Sequence, residues 1–440
     1  MAADADIAHL LRRTEFVARP ARVAELVGGS IGAAVDNVLD FSPNANPTVP
    51  PELAVQSNDS YNQGIACFHW WFDMMATRPR PLQEKMTLFW HGHFVSEGDV
   101  VGRNDQMMEQ NQLFRSMAVG NFRALTHAMS LQPAMLYYLD NTDNVASSPN
   151  QNFARELMEL FTMGVGNYTE DDVTAGARAW TGHGVDWQTG QYQFHSYEHD
   201  YGQKTFMGVT RNWNGPDIIN YLLQENTTKK LVTCKYLTKK LWEFFAYQNP
   251  SQAIIDELAQ VLYTADPEPP NADMPIKRWV KAMLMHDDFY LPATQQGLVR
   301  SPIDFVVAVQ YYTGFRGSKL NPQWYVDGMG QVPYGPPNVA GWKTNGYWVN
   351  TSLFGARAEF ARGATWHLRQ NGANDVGKGR TPEEAVDYVA AMFGVALAPI
   401  TRTALIDFVV DHRVEEPWVG WWEATNLLTM VMTSPEFHVA

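Results

Sequence analysis

The sequence predicts a mainly α fold, a multi-helical body with a small β-hairpin insertion, and three observations carry that prediction. Apolar residues recur at helical spacing through most of the chain, and glycine or proline interrupts the pattern at short intervals. Only one stretch, about 185–210, alternates aromatic and polar residues as a half-buried strand does. With 45% hydrophobic and 18% charged residues in 440, the chain can bury a large core and is too poor in charge to be disordered. We divide it into a main helical domain, 1–250, and a C-terminal helical lobe, 251–440, that includes a long loop at 314–350.

Taken in order, residues 6–28 read as two short helices split at Pro20 and stopped by Gly28 and Gly29, followed by a helix over 31–40. Four prolines make 42–54 an extended connector. From Asn62 the run Phe68, Trp70, Trp71, Phe72, Met74, Met75 predicts a helix buried on most sides. Pro81 suits the first turn of the next helix, which is expected to run from Leu82 to about Trp90 and end at His91-Gly92-His93. Two helices over 104–118 and 121–140, the second punctuated by Pro133, lead through a polar loop into the segment 150–170. Thr169 and Asp172 have capping-box spacing for a helix ending near His183. The hairpin follows, with Thr189-Gly190 at its turn, then helices over 215–226, 228–247, 251–264 and 275–288, the last two flanking the proline-rich loop 266–270. A helix starting at Arg300–Asp304 and running through Tyr312, the long loop 314–350, and four helices over 351–370, 381–393, 401–413 and 418–433 complete the chain.

The formal charge of −14 excludes general phosphate-backbone binding, which needs clustered Lys and Arg, so no nucleic acid is expected as a partner. Cys67 and Cys234 stand far apart and form neither a disulfide framework nor a cysteine metal site. No run is long and apolar enough for a membrane span, and no basic and apolar leader opens the chain, which favours a cytoplasmic protein or a processed form. The 15 Trp, 18 Tyr and 22 Phe exceed ordinary use; most serve the core, and a few exposed rings would suit stacking on sugar faces.

Segment 150–170 holds the densest polar chemistry. At about 100° per residue, Phe153, Leu157, Leu160 and Phe161 share one side of a helix, whereas Asn152, Arg155, Glu156 and Glu159 crowd the other. A solvated face explains such a stripe as simply as a site does. A second cluster is His199-Asp200 with Lys204-Thr205, whose Gly202-Gln203-Lys204-Thr205 fails the spacing of a phosphate-binding loop. The stripe is expected to face this loop and the His91-Gly92-His93 turn, with Arg178 and His183 within reach of the two glutamates.

Read together with Phe89–Phe94, His199–Thr205 and Pro336–Trp342, the segment Asn152–Glu170 resembles the bacterial domain-of-unknown-function family eighteen hundred. The likeness extends from His9 to Phe437, and Gly92 departs from it, since a larger polar residue is expected between the histidines. The resemblance implies a mostly helical protein with a sulfatase-like companion. It marks His91, His93, Asn152, Arg155, Glu156, Glu159, His199, Asp200, Lys204, Asn338 and Trp342 as motif positions.

Three functions compete for these residues. The first is a glycan- or polysaccharide-directed hydrolase: Glu156 and Glu159, one turn and about 5–6 Å apart at Cβ, would divide acid and base duties, with Asp200 as an alternative partner acid and His199 as shuttle. Asn152, Arg155, Lys204, Asn338 and Trp342 would bind substrate. The second is a divalent-metal enzyme using His91 and His93 with His199, Asp200 and Glu156, although no His-Glu-x-x-His spacing fixes a geometry. The third is a non-catalytic binding or scaffold protein in which the polar groups lock helices together.

Overall fold

The computed structural model describes residues 3–45, 48–265, 273–295, 297–370, 376–415 and 420–440. The proline-rich loop at 266–270 lies outside them. Helices dominate, and the strands among the described residues form two separate two-stranded antiparallel sheets. The predicted hairpin is therefore two. His183–Val185 pairs with Tyr192–Phe194, and Lys204–Phe206 pairs with Val209–Arg211. The aromatic alternation marked the first pair; the second is only three residues per strand, too short for period two to register.

The helices surround two apolar cores. One gathers side chains from Ile7 to Phe289, including Trp90, Trp180, Trp213, Trp242 and Trp279. The other gathers side chains of 303–437 together with Phe16, Val17, Phe68, Trp71, Phe72, Met75 and Leu88. Each large apolar side chain so buried contributes about 1.5–3 kcal/mol against exposure. The helix Leu82–His93 touches both cores, because Phe89 and Trp90 face the first and Leu88 the second. Polar residues fix it in place. Glu84 accepts from Arg115 at 2.7 and 2.8 Å and from Trp71 Nε1 at 3.0 Å, while Lys85 donates to Asp304 at 2.5 Å. Ion pairs so deeply buried specify position more than they add stability, since desolvation offsets much of their attraction.

That helix continues through Gly92 to His93, three residues beyond the expected Trp90. Burial against neighbouring elements outweighs the roughly 1 kcal/mol helix penalty of a glycine. The loop at 314–350 carries four short helical turns: Gly317–Leu320, Pro322–Trp324, Val326–Met329 and Asn345–Trp348. It folds back over the end of the Leu82–His93 helix. Gly341 makes this approach feasible: its φ is +79°, and a Cβ there would lie 2.8 Å from the Gly92 carbonyl oxygen. No helix among the described residues is long and apolar enough to cross a membrane.

Candidate functional site

The helix Asn152–Glu159 starts from an asparagine turn. Asn150 Oδ1 accepts from the Asn152 amide at 2.9 Å, and the Asn150 amide in turn donates to Asn144 Oδ1 at 2.9 Å. Its apolar face, Phe153, Ala154, Leu157 and Met158, is buried, with Phe153 edge-on to Trp180 at 4.7 Å. The polar face divides its partners sharply. Asn152 donates to Asp140 at 3.0 Å; Arg155 makes a two-pronged pair with Glu170, both bonds 2.7 Å; Glu159 accepts the Tyr168 hydroxyl. Arg155 thus ties its helix to the next one, Glu170–Ala179, whose Thr169–Asp172 capping box forms as the sequence predicts.

Glu156 is left over. Half-buried, it has one oxygen, Oε2, enclosed without a hydrogen-bond partner. Burial, followed by repulsion from Glu159, pushes its carboxyl up to about 7, with Arg155 opposing. Tyr138 and Tyr236 feel the same negative potential: burial drives each phenol up to about 12, and Glu156 adds to both shifts. Glu97 contributes at Tyr138 and Glu159 at Tyr236. The surroundings of Glu156 are thus acidic and rich in tyrosine.

The Leu82–His93 helix reaches this region through His93. Its Nε2 donates to the Phe161 carbonyl at 3.1 Å, which leaves Nδ1 to accept from Lys240 Nζ at 3.0 Å and fixes a neutral tautomer. Burial, then Lys240, holds His93 well below its ordinary value. Burial likewise lowers Lys240 to about 8. Lys240 also lies 5.4 Å from the Tyr236 ring centre, so the histidine, the lysine and the Glu156 surroundings adjoin. His93, Lys240 and Trp342 line one cavity of about 150 Å³ with Phe89, Phe244 and Trp348.

His91 turns the other way. Its Nε2 accepts the Tyr334 amide at 3.1 Å, its ring packs on Trp71 and Trp342 at 5.3 Å each, and burial lowers it to about 3. The two histidines serve separate hydrogen bonds on different sides of their helix. Among the described residues, no group of three or more His, Cys, Asp and Glu could hold a metal ion. His91 and His93 therefore do not join His199, Asp200 or Glu156 in a donor set that fits a divalent metal.

The His199–Asp200 loop forms a third cluster. His199 Nδ1 donates to the Thr181 carbonyl at 2.8 Å, and the Thr181 hydroxyl receives the Asp200 amide at 2.8 Å. Asp200 pairs with Arg178 at 2.6 Å and accepts the Gly202 amide at 2.7 Å. Lys204 is buried and donates to the carbonyls of Gly202 and Trp213, each at 3.0 Å, and to that of Asp200. Among the described residues, no hydrogen bond or ion pair joins His199, Asp200 or Lys204 to Glu156 or Glu159. His183 bonds Tyr192 and Asn214, so neither it nor Arg178 meets the glutamates. Asn338 is exposed and shapes its own turn by accepting the Ala340 amide at 2.9 Å.

The structure thus brings Glu156, Glu159 and Arg155 together, adjoins them to His93 and Trp342 through Phe161 and Tyr236, and sets Asp200 and Lys204 apart. Sequence reasoning missed Tyr138, Tyr168, Tyr236 and Lys240. Lys240 had a signal: it follows Tyr236 by four residues and so shares its helix face, while Lys239 points elsewhere.

Fold and site together define a mainly α protein with a half-buried acid pair beside a lysine–histidine cavity. Over residues 9–439 the chain matches the family described as protein of unknown function, DUF1800, and it belongs to that family. No curated protein and no solved structure matches it.

Proposed function

We propose that this protein is a hydrolase acting on a neutral glycan, with Glu156 as general acid and Glu159 as the second carboxylate. The observation behind this reading is the unequal environment of the two acids. Glu156 has an unpartnered oxygen and a carboxyl raised to about 7, so it holds a proton near neutrality; Glu159 is hydrogen-bonded by Tyr168. A proton donor poised near the working pH and a neighbouring carboxylate are what cleavage of a glycosidic bond requires.

The substrate class follows from charge. Glu97 and Glu159 repel anions, whereas Tyr138, Tyr168 and Tyr236 supply rings that suit sugar faces. The sulfatase-like companion implied by the resemblance fits this chemistry, because removing sulfate esters turns an anionic chain into a neutral one. Trp342 and His93 extend the site into the neighbouring cavity. Asp200, His199 and Lys204 act in this reading as its frame.

The test is hydrolysis of end-labelled maltohexaose, cellohexaose, xylohexaose and chitohexaose between pH 4 and 8, followed by chromatography. At least one should be cut by the parent protein and by neither Glu156→Gln nor Glu159→Gln, with melting of the variants retained. Cleavage that survives Glu156→Gln, or no cleavage of any of the four, overturns the proposal.

A further inference from the structure

A cavity of about 580 Å³ shares no lining residue with the acid pair; its walls carry Gln83, Glu109, Gln112, Gln132, Gln191 and Tyr192. A second space of about 290 Å³ shares Glu109, Gln112 and Gln191 with it and adds Gln106. The two form one groove, walled by the helix Asn104–Ser116, the segment between Phe122–Ser130 and Pro133–Tyr138, and the tip of the first hairpin. Gly190 seats that tip: its φ is +71°, and a Cβ there would lie 3.3 Å from Arg103 and from the Gln106 amide.

Three of the glutamines have one half of the amide fixed and the other unused. Gln132 Oε1 accepts the Ala134 amide at 2.8 Å, and its Nε2 has no partner. Gln112 Oε1 accepts from Arg115 at 2.7 Å, and its Nε2 has no partner. Gln106 Nε2 donates to the Gly190 carbonyl at 3.0 Å, and its Oε1 has no partner. Each orientation is set by a partner that can only donate or only accept, so the unused atoms are two donors and one acceptor. Gln132 and Gln106 are more than nine-tenths buried, with 4% and 2% exposure, and a polar atom left unmatched at such depth is costly. Leu113, Leu131 and Pro133 add apolar surface beside the Tyr192 ring. The guanidinium of Arg115 is already committed to Glu84 and that of Arg103 to Asp105, so among the described lining residues both arginines are paired rather than open to an anion.

We propose that this groove binds an uncharged oligosaccharide, whose hydroxyls both donate and accept and whose ring faces pack on tyrosine and small apolar side chains. A peptide fits less well, because the wall presents side-chain amides, while the hairpin backbone at Gln191 is already paired with Asp186. This site goes beyond the acid pair and stands without it.

The experiment titrates the full-length Glu156→Gln protein, which keeps the groove and removes the proposed acid, with maltohexaose, cellohexaose, xylohexaose and chitohexaose by calorimetry. At least one should bind, and Gln112→Ala with Gln191→Ala should weaken it about tenfold or more in a protein that still unfolds in one cooperative melting transition well above the titration temperature. Gln132 caps a helix and its loss endangers folding, which is why the half-buried Gln112 and the exposed Gln191 are chosen. The proposal fails if none of the four binds, if the double substitution leaves affinity unchanged, or if an uncharged Gly-Ser hexapeptide binds as tightly. Binding without hydrolysis in the parent protein would overturn the proposed function and leave this site standing.

Discussion

The Glu156 helix and the Asp200–Lys204 loop are both dense in charged motif residues, yet they are built in opposite ways. In the loop, every charge has an assigned partner: Asp200 meets Arg178 and the Gly202 amide, and Lys204 meets three carbonyls. On the helix, Arg155 and Glu159 are likewise partnered, but Glu156 encloses an oxygen that nothing satisfies. A satisfied network holds a shape, whereas a half-buried carboxyl whose ionised form is disfavoured is a candidate proton donor. The two clusters thus differ in how completely their polar groups are partnered, which residue type alone does not reveal.

The comparison predicts a ranking of effects. Glu156→Gln should lower hydrolysis by about 10²–10⁴-fold, measured as initial rates, and in the parent the rate should decline above about pH 7 as the raised carboxyl loses its proton. Next, Lys204→Met strips three carbonyls of their donor and should cost about 2–3 kcal/mol in urea unfolding; a variant as stable as the parent would make the loop no more structural than the helix. Asp200→Asn removes a partly exposed ion pair and should cost about 1 kcal/mol by the same measurement.

Smaller still is a pH effect at Glu156. Its carboxyl is raised in the fold, to about 7 from an ordinary 4.5, so the ionised form is disfavoured there. Below the ordinary value the acid is protonated in both folded and unfolded chains and nothing is lost. Between the two values stability falls as pH rises, and above about 7 the loss is constant. Glu156→Gln should therefore melt with the parent at pH 4 and about 1–2 °C above it at pH 8, a small gain because the group is only half-buried. Least of all, Arg155→Ala breaks an exposed pair with Glu170, and scanning calorimetry should find its melting indistinguishable from the parent's.

Much of the helical order was legible because apolar spacing and proline or glycine stops are local signals. The Thr169 capping box and the Pro20 break are examples. The continuation of the Leu82–His93 helix through Gly92 was not, because packing against Trp342 and Phe161 comes from residues far away in sequence. The site divides along the same line. The wheel placed Arg155, Glu156 and Glu159 on one face, but their partners lie across chain reversals: Glu170 on the next helix, Tyr236 on another, and Asp200 turned toward Arg178 instead. Periodicity says which way a side chain leaves its own helix and nothing about what waits there.

Glu84 and Lys85 are adjacent in sequence and fastened in different directions, Glu84 to Arg115 and Lys85 to Asp304. The helix that carries them is consequently a spar running between the two cores rather than a hinge. Any rocking of one core against the other along this helix must first break a buried charge pair, so the loop that rests on its end and the histidine that reaches the Glu156 site keep a common frame of reference.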